Sequence, residues 1–191
     1  GLAGLLLSRR RPEQLPVERG PRRDAASAAA APAAEPAATG DLEDGVAAYR
    51  ERDYAQAFLL LVPLAERNER EAQFLLGEMY RKGEGLVPSV EEALPLFSKA
   101  AEAGHVRAQL ALAQMHETGE GVERNADAAL QWLTRAARSG SAQGQLTLGL
   151  HYIRVETRRD FEQAAKWIRL AADQHDAEAE YFYARLLLEA E

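Results

Sequence analysis

The feature that most constrains this chain is that it repeats itself. Four sixteen-residue segments align without a gap: DYAQAFLLLVPLAERN (53–68), SVEEALPLFSKAAEAG (89–104), NADAALQWLTRAARSG (125–140) and DFEQAAKWIRLAADQH (160–175). Their starts lie 36, 36 and 35 residues apart. The stretches between them repeat too, as AQFLLGEMYRKGEG (72–85), AQLALAQMHETGEG (108–121) and GQLTLGLHYIRVET (144–157), with a half-copy AEYFYARLLLEAE at 179–191. The first two of these agree at seven of fourteen positions. A period in the range of about 20–50 residues marks a stacked array, in which one unit cannot bury its own apolar face and stacking creates the core.

Each sixteen-residue segment reads as a helix, the B helix of its unit. Its first residue is Asp53, Ser89, Asn125 or Asp160, all side chains suited to an N-cap, and Gln56, Glu92 and Gln163 three positions on complete a capping box in three copies. Apolar residues then follow at i, i+3, i+4, i+7 and i+8, as Ala93, Leu96, Phe97, Ala100 and Ala101 or as Ala129, Trp132, Leu133, Ala136 and Ala137. That spacing paints one face of a helix. Gly104 and Gly140 close two copies where a left-handed residue is wanted. Pro63 and Pro95 fall inside B helices and predict a bend, or a delayed start of the second.

The AQ stretches read as the preceding A helices. Gly77 and Gly149, in register with Ala113 and Ala184, sit in mid-helix. Glycine there costs up to about 1 kcal/mol of propensity, which is reasonable if the missing side chain lets the B helix approach. The alanine columns 57, 93, 129, 164 and 65, 101, 137, 172 serve the same end on the B helices. Gly45-Val46-Ala47-Ala48-Tyr49 reads as a short degenerate A helix at the start.

Ahead of the array the chain differs. Residues 1–11, GLAGLLLSRRR, read either as the tail of a membrane anchor or as a slightly apolar terminus, since the seven residues before Ser8 are far fewer than the roughly 20 that cross a bilayer. Residues 12–40 hold five prolines and an alanine run and read as a semi-extended linker to a domain at 41–191. The first forty residues carry six Arg against four acidic groups, so +2 of the chain's −7 lies there and the array carries −9. Such a surface repels phosphate backbones and argues against a nucleic-acid partner. Cysteine is absent, which removes disulfides, thiol chemistry and Cys-based zinc sites.

The pattern A-Q-x-x-L-G-x-x-Y, then G-E-G, then a B helix with Ala, Trp and Ala-Ala before Gly resembles the Sel-one-like repeat (SLR) family, relatives of the tetratricopeptide repeats. One unit carries it as Ala72, Gln73, Leu76, Gly77, Tyr80, Gly83, Gly85, Ala93, Ala100, Ala101 and Gly104. The next carries Ala108, Gln109, Leu112, Ala113, Gly119, Gly121, Ala129, Trp132, Ala136, Ala137 and Gly140. The third A stretch lacks the G-x-G turn, so its loop at 155–158 should differ. The resemblance implies an all-α, right-handed α-solenoid of antiparallel helix pairs of about 36 residues. It also implies a non-enzymatic scaffold or adaptor for membrane-linked assemblies in a bacterial cell envelope. Orientation stays open: arginines after an apolar run favour the cytoplasmic side, whereas the spacer and the family's habits favour a periplasmic domain.

No chemistry stands out. The histidines 105, 116, 151 and 175 form no H-E-x-x-H and no pair at ligand spacing, so no metal site is expected. Gly83-Glu84-Gly85 and Gly119-Glu120-Gly121 recur with the period as inter-helix turns and lack the Gly-Lys-Ser/Thr of a phosphate loop, so no cofactor is expected. Glu91-Glu92 lies in the first turn of a B helix, where carboxylates favour the dipole. Trp132 and Trp167 share a column with Leu60 and Leu96 and read as core. A cell-wall-associated hydrolase, or its regulatory subunit, is the alternative on the same scaffold; it needs a nucleophile or carboxylate pair in a cleft.

Binding is expected instead on the concave face lined by the A helices, for a protein or peptide partner. With Ala72, Leu76 and Tyr80 turned into the stack, the outward stripe holds Phe74, Glu78 and Arg81. In register follow Leu110, Gln114 and Glu117, then Leu146, Leu150 and Ile153, then Tyr181 and Arg185. The stripe turns apolar toward the C-terminus, where Leu146, Leu150 and Ile153 serve either as anchors for a ligand or as packing for the terminal helix.

Overall fold

The computed structural model describes residues 42–154 and 161–189, and these form helices joined by short turns. In chain order they are α1 (Leu42–Arg50), α2 (Tyr54–Glu66), α3 (Arg70–Lys82), α4 (Val90–Glu102), α5 (Val106–Thr118), α6 (Ala126–Arg138), α7 (Ala142–Arg154), α8 (Phe161–Ala172) and α9 (Ala177–Glu189). Each packs on the helix before and after it. Odd-numbered helices are the A helices and even-numbered ones the B helices, so the fold is an α-solenoid with an A helix at either end of the described part. No described helix is long and apolar enough to cross a membrane. The anchor and linker read from residues 1–40, the loop at 155–158 and the cap at Asp160 lie outside the described residues.

The B helices begin where their caps place them. Asp53 accepts from the Gln56 N–H at 3.1 Å, Ser89 from the Glu92 N–H at 3.2 Å and Asn125 from the Ala128 N–H at 2.9 Å. The reciprocal half of the capping box does not form at the first two. The N-cap N–H groups of Asp53 and Ser89 are already donated to the carbonyls of Ala48 (3.0 Å) and Tyr80 (2.9 Å) on the preceding A helix. Asn125 repeats this with the carbonyl of His116 at 2.9 Å. The cap thus fixes the helix start, and its backbone fixes the hairpin. Neither proline delays a helix: α4 starts at Val90 despite Pro95, and α2 runs through Pro63. Both rings are exposed, so the carbonyls that lose a partner face water, where the loss is small.

The helix ends follow the expected column. Gly104 and Gly140 have φ of 82° and 86°, and the column continues with Asn68 (64°) and His175 (63°). The turns after α3 and α5 open with Gly83 and Gly119, also left-handed. Tyr49 of α1 donates its hydroxyl to Glu84 of the first of these turns at 2.7 Å. Burial first, and then that bond, hold the phenol well above its ordinary range.

Packing uses the small residues as the sequence implies. Ala57, Ala93, Ala129 and Ala164 are fully buried, as are Leu61, Phe97 and Ile168 one turn on. A Cβ added at Gly77 would stand 2.7 Å from the Phe97 ring, and one at Gly149 would press on Ile168 and on the Ala164 carbonyl at 3.1 Å. Each mid-helix glycine therefore marks a crossing where a B-helix side chain fills the place of its Cβ. Trp132 and Trp167 are a partial correction. They are half-buried, at the edge of the core clusters, with Arg135 lying 4.7 Å over the Trp132 ring.

Candidate functional site

A groove of 490 Å³ crosses three successive A helices. Its floor is α5, through Leu110, Ala111 and Gln114; α3 supplies Phe74, Glu78 and Arg81, and α7 supplies Gln143, Thr147 and Arg154. Six of the eleven residues expected on the binding stripe line it: Phe74, Glu78, Arg81, Leu110, Gln114 and Glu117.

They do not all present themselves as the helical-wheel argument assumes. Phe74 is 3% exposed and Glu78 6%. Residues 72–79 of α3 are buried without a break, because an A helix in a layer has its own B partner beneath it and a neighbouring A helix at its side. Phe74 stacks on the His105 ring at 4.6 Å and leans on Phe97. Glu78 is held by Arg81 at 3.0 Å and Lys82 at 2.5 Å, so a buried carboxylate is fully compensated. Arg81 also reaches Glu120 of the next unit at 3.8 Å.

The C-terminal part of the stripe lies elsewhere. Leu146 is 5% exposed and joins Ile168, Ala171 and Ala179 in a core cluster; Leu150 and Ile153 pack against that cluster beside Phe182 and Leu186 of α9. Of the two readings of these three residues, the structure shows packing for the terminal helix. Tyr181 is exposed on α9 with Arg185 5.9 Å over its ring, and neither belongs to the groove.

Two of the four histidines are occupied structurally, while the Nδ1 of His116 is buried without a hydrogen-bond partner. His105 caps α5: its Nδ1 accepts from the Ala108 N–H at 3.2 Å, which leaves the hydrogen on Nε2 to donate to Glu71 at 2.7 Å. His151 is 4% exposed and its Nδ1 meets Glu117 at 2.7 Å, tying α7 to α5. Among the described residues no group of three or more His, Asp or Glu is placed to hold a metal ion.

Sequence reasoning missed the polar residues that join one unit to the next. Gln73 Nε2 donates to the Ala65 carbonyl at 3.1 Å, and Gln109 Nε2 to the Ala101 carbonyl at 3.0 Å. Both side chains are buried, and each ties an A helix to the end of the B helix before it. The signal was available: a glutamine recurring at 73, 109 and 145 inside an otherwise apolar stretch is a buried amide with a fixed partner. The groove residues Arg107, Gln143, Thr147 and Arg154 were missed as well, because a wheel drawn for one helix does not show what two neighbours leave open between them.

Comparison with known proteins gives a consistent picture. The chain is similar to a Sel1 repeat protein from Oxalobacter formigenes, at 29% identity and a TM-score of 0.68 over 75% of this chain and 59% of that one. It is also similar to c5321, a protective antigen of uropathogenic Escherichia coli with an SLR fold, at 32% identity and a TM-score of 0.65 over 72% of this chain and 30% of that one. The chain thus spans less than two thirds of the first and less than a third of the second. No curated protein sequence matches it. The model for the Sel1 repeat matches residues 70–105, 106–141 and 148–176, and its first two units begin where α3 and α5 begin. With more than half of its length matched in the register that its own caps and glutamines define, the chain belongs to the Sel1 repeat family.

Proposed function

We propose that this array is a non-enzymatic scaffold that holds a peptide segment of a partner protein in the groove across α3, α5 and α7. Sel1 repeats generally serve as protein–protein interaction modules. The observation that carries the reading for this chain is the groove itself. It is open along three units and floored by the half-buried Leu110 and the exposed Gln114, an apolar patch beside an amide able to pair with a peptide backbone. The buried ionisable groups around it, Glu78, His105 and His151, each have a partner within the fold, which supports a structural rather than a catalytic use.

The reading moves the expected contact surface. Leu146, Leu150 and Ile153 are spent on packing, so the central units take the partner. The test is site-specific photo-crosslinking of the full chain in its host cells. A benzophenone side chain at Gln114 should give a discrete protein adduct, and the same group at Gln131, exposed on a B helix, should not. Adducts at Gln131 alone, or at neither position, would refute the assignment of the groove.

A further inference from the structure

We propose that the groove selects acidic segments, meeting one carboxylate at Arg107 and a second at Arg154. This rests on the reading of the groove as the partner site and names the chemistry of the partner. The array as a whole carries −9, so its average surface disfavours anions. The groove reverses that locally. Its lining holds Arg81, Arg107 and Arg154 against Glu78 and Glu117.

Both carboxylates are already engaged. Glu78 is enclosed by Arg81 and Lys82, and Glu117 is bound to His151. Arg81 is engaged in turn, by Glu78 and Glu120. What remains is cationic. The Arg107 guanidinium lies 4.4 Å over the Phe74 ring with its side chain 55% exposed, and Glu71 approaches it only to 3.8 Å. Stacking on a buried ring fixes the guanidinium plane and leaves its edge N–H groups for an incoming carboxylate. Arg154 is exposed in the last turn of α7 and has no ion pair among the described residues. Its position there complements the helix carbonyls, a role that leaves the guanidinium open to a second anion.

The spacing points to an extended ligand. The register equivalent of Arg154 on α5 is Thr118, eleven residues beyond Arg107, which is about 16 Å along the helix direction at 1.5 Å per residue. With the roughly 8–10 Å between neighbouring helix axes added sideways, the two levels lie about 18–19 Å apart, which an extended chain rising about 3.3 Å per residue covers in about six residues. Gln114, between the levels of the two arginines, and Gln143, level with Arg107 on α7, offer exposed amides to the backbone of such a segment.

The probes are three acetylated, amidated peptides, identical except at two positions about six residues apart that hold Glu, Gln or Lys. Binding to the full chain is read by fluorescence anisotropy at low and at high salt. The Glu peptide should bind roughly tenfold more tightly than the Gln peptide at low salt, with the gap closing at high salt. Arg107→Gln and Arg154→Gln should each cost it about threefold, and the Arg154 variant disturbs no described contact. Equal binding of all three peptides, all blocked by Gln114→Trp, would overturn acid selection while leaving the groove as the partner site. Arginine-dependent binding that ignores Gln114→Trp would overturn the groove itself. Failure of the Glu peptide to bind overturns the proposal.

Discussion

The close approach of α3 and α4 at Gly77 gives a quantitative test of how the array is packed. In Gly77→Ala the new Cβ would stand 2.7 Å from Phe97 Cε1 and 2.9 Å from Cδ1. Carbon atoms are at ease near 3.5–4.0 Å, so the ring must retreat by close to 1 Å. Phe97 is fully buried and already meets Phe74 at 5.9 Å between centroids, so it has little room to yield. Overpacking of this kind costs about 1–3 kcal/mol, and replacing a mid-helix glycine returns about 1 kcal/mol of propensity. The net expectation is a loss of about 0–2 kcal/mol. The next unit shows the remedy, since Ala113 there shares a core cluster with Leu133, the register equivalent of Phe97. Phe97→Leu alone should cost about 1–3 kcal/mol for lost contacts and residual space. The double substitution rebuilds the Ala113–Leu133 pairing and should recover about 1–2 kcal/mol relative to the sum. Urea denaturation followed by far-UV circular dichroism measures all four corners of the cycle. Additivity within about 0.5 kcal/mol, or a Gly77→Ala protein stabilised by the whole propensity gain, would refute the packing argument.

Two further outcomes are expected. Gln109→Leu removes the donor to the Ala101 carbonyl and should lower stability by about 1–3 kcal/mol, read as a fall in the thermal midpoint; an unchanged midpoint would show that water takes over the carbonyl. His175→Gly should raise the midpoint by relieving a left-handed residue at φ 63°, worth about 0.5–1 kcal/mol after the entropy of glycine is set against it, whereas His175→Ala should not.

What the sequence showed of this fold follows from periodicity. Apolar spacing, caps and helix-ending glycines recur with each unit, so each error is corrected by the next copy, and the helix pairs were legible for that reason. The small residues at 77 and 149 were legible because their cost demanded a neighbour. The site was only half legible. A helical wheel assigns one inner and one outer face, but α3 is covered on nearly all sides, and so Phe74 and Glu78 turned out to be internal. For Leu146 the wheel left two readings, anchor or packing, and only the neighbouring helix decides between them, since Leu146 shares a core cluster with Ala179 of α9. Arg107 and Arg154 gave no periodic signal at all, since their columns hold Glu71, Gln143, Lys82 and Thr118 in the other units. Function at that position comes from departure from the repeat.

The glutamine bonds carry a mechanical consequence. The joints between α2 and α3 and between α4 and α5 are stitched by a buried amide to a carbonyl. At the joint between α6 and α7 the glutamine of the column, Gln145, instead accepts from Gln174 at the end of its own unit's B helix, and Gly144 lets the chain press directly on the backbone of Ala136. The array is therefore a row of unlike joints. In a one-dimensional stack the weaker coupling decides where a fray stops. The α6–α7 joint lacks the glutamine–carbonyl bond of the earlier joints, but opening it must still break the His151–Glu117 tie between α7 and α5, so the coupling there is spread across the A layer rather than placed at the hairpin.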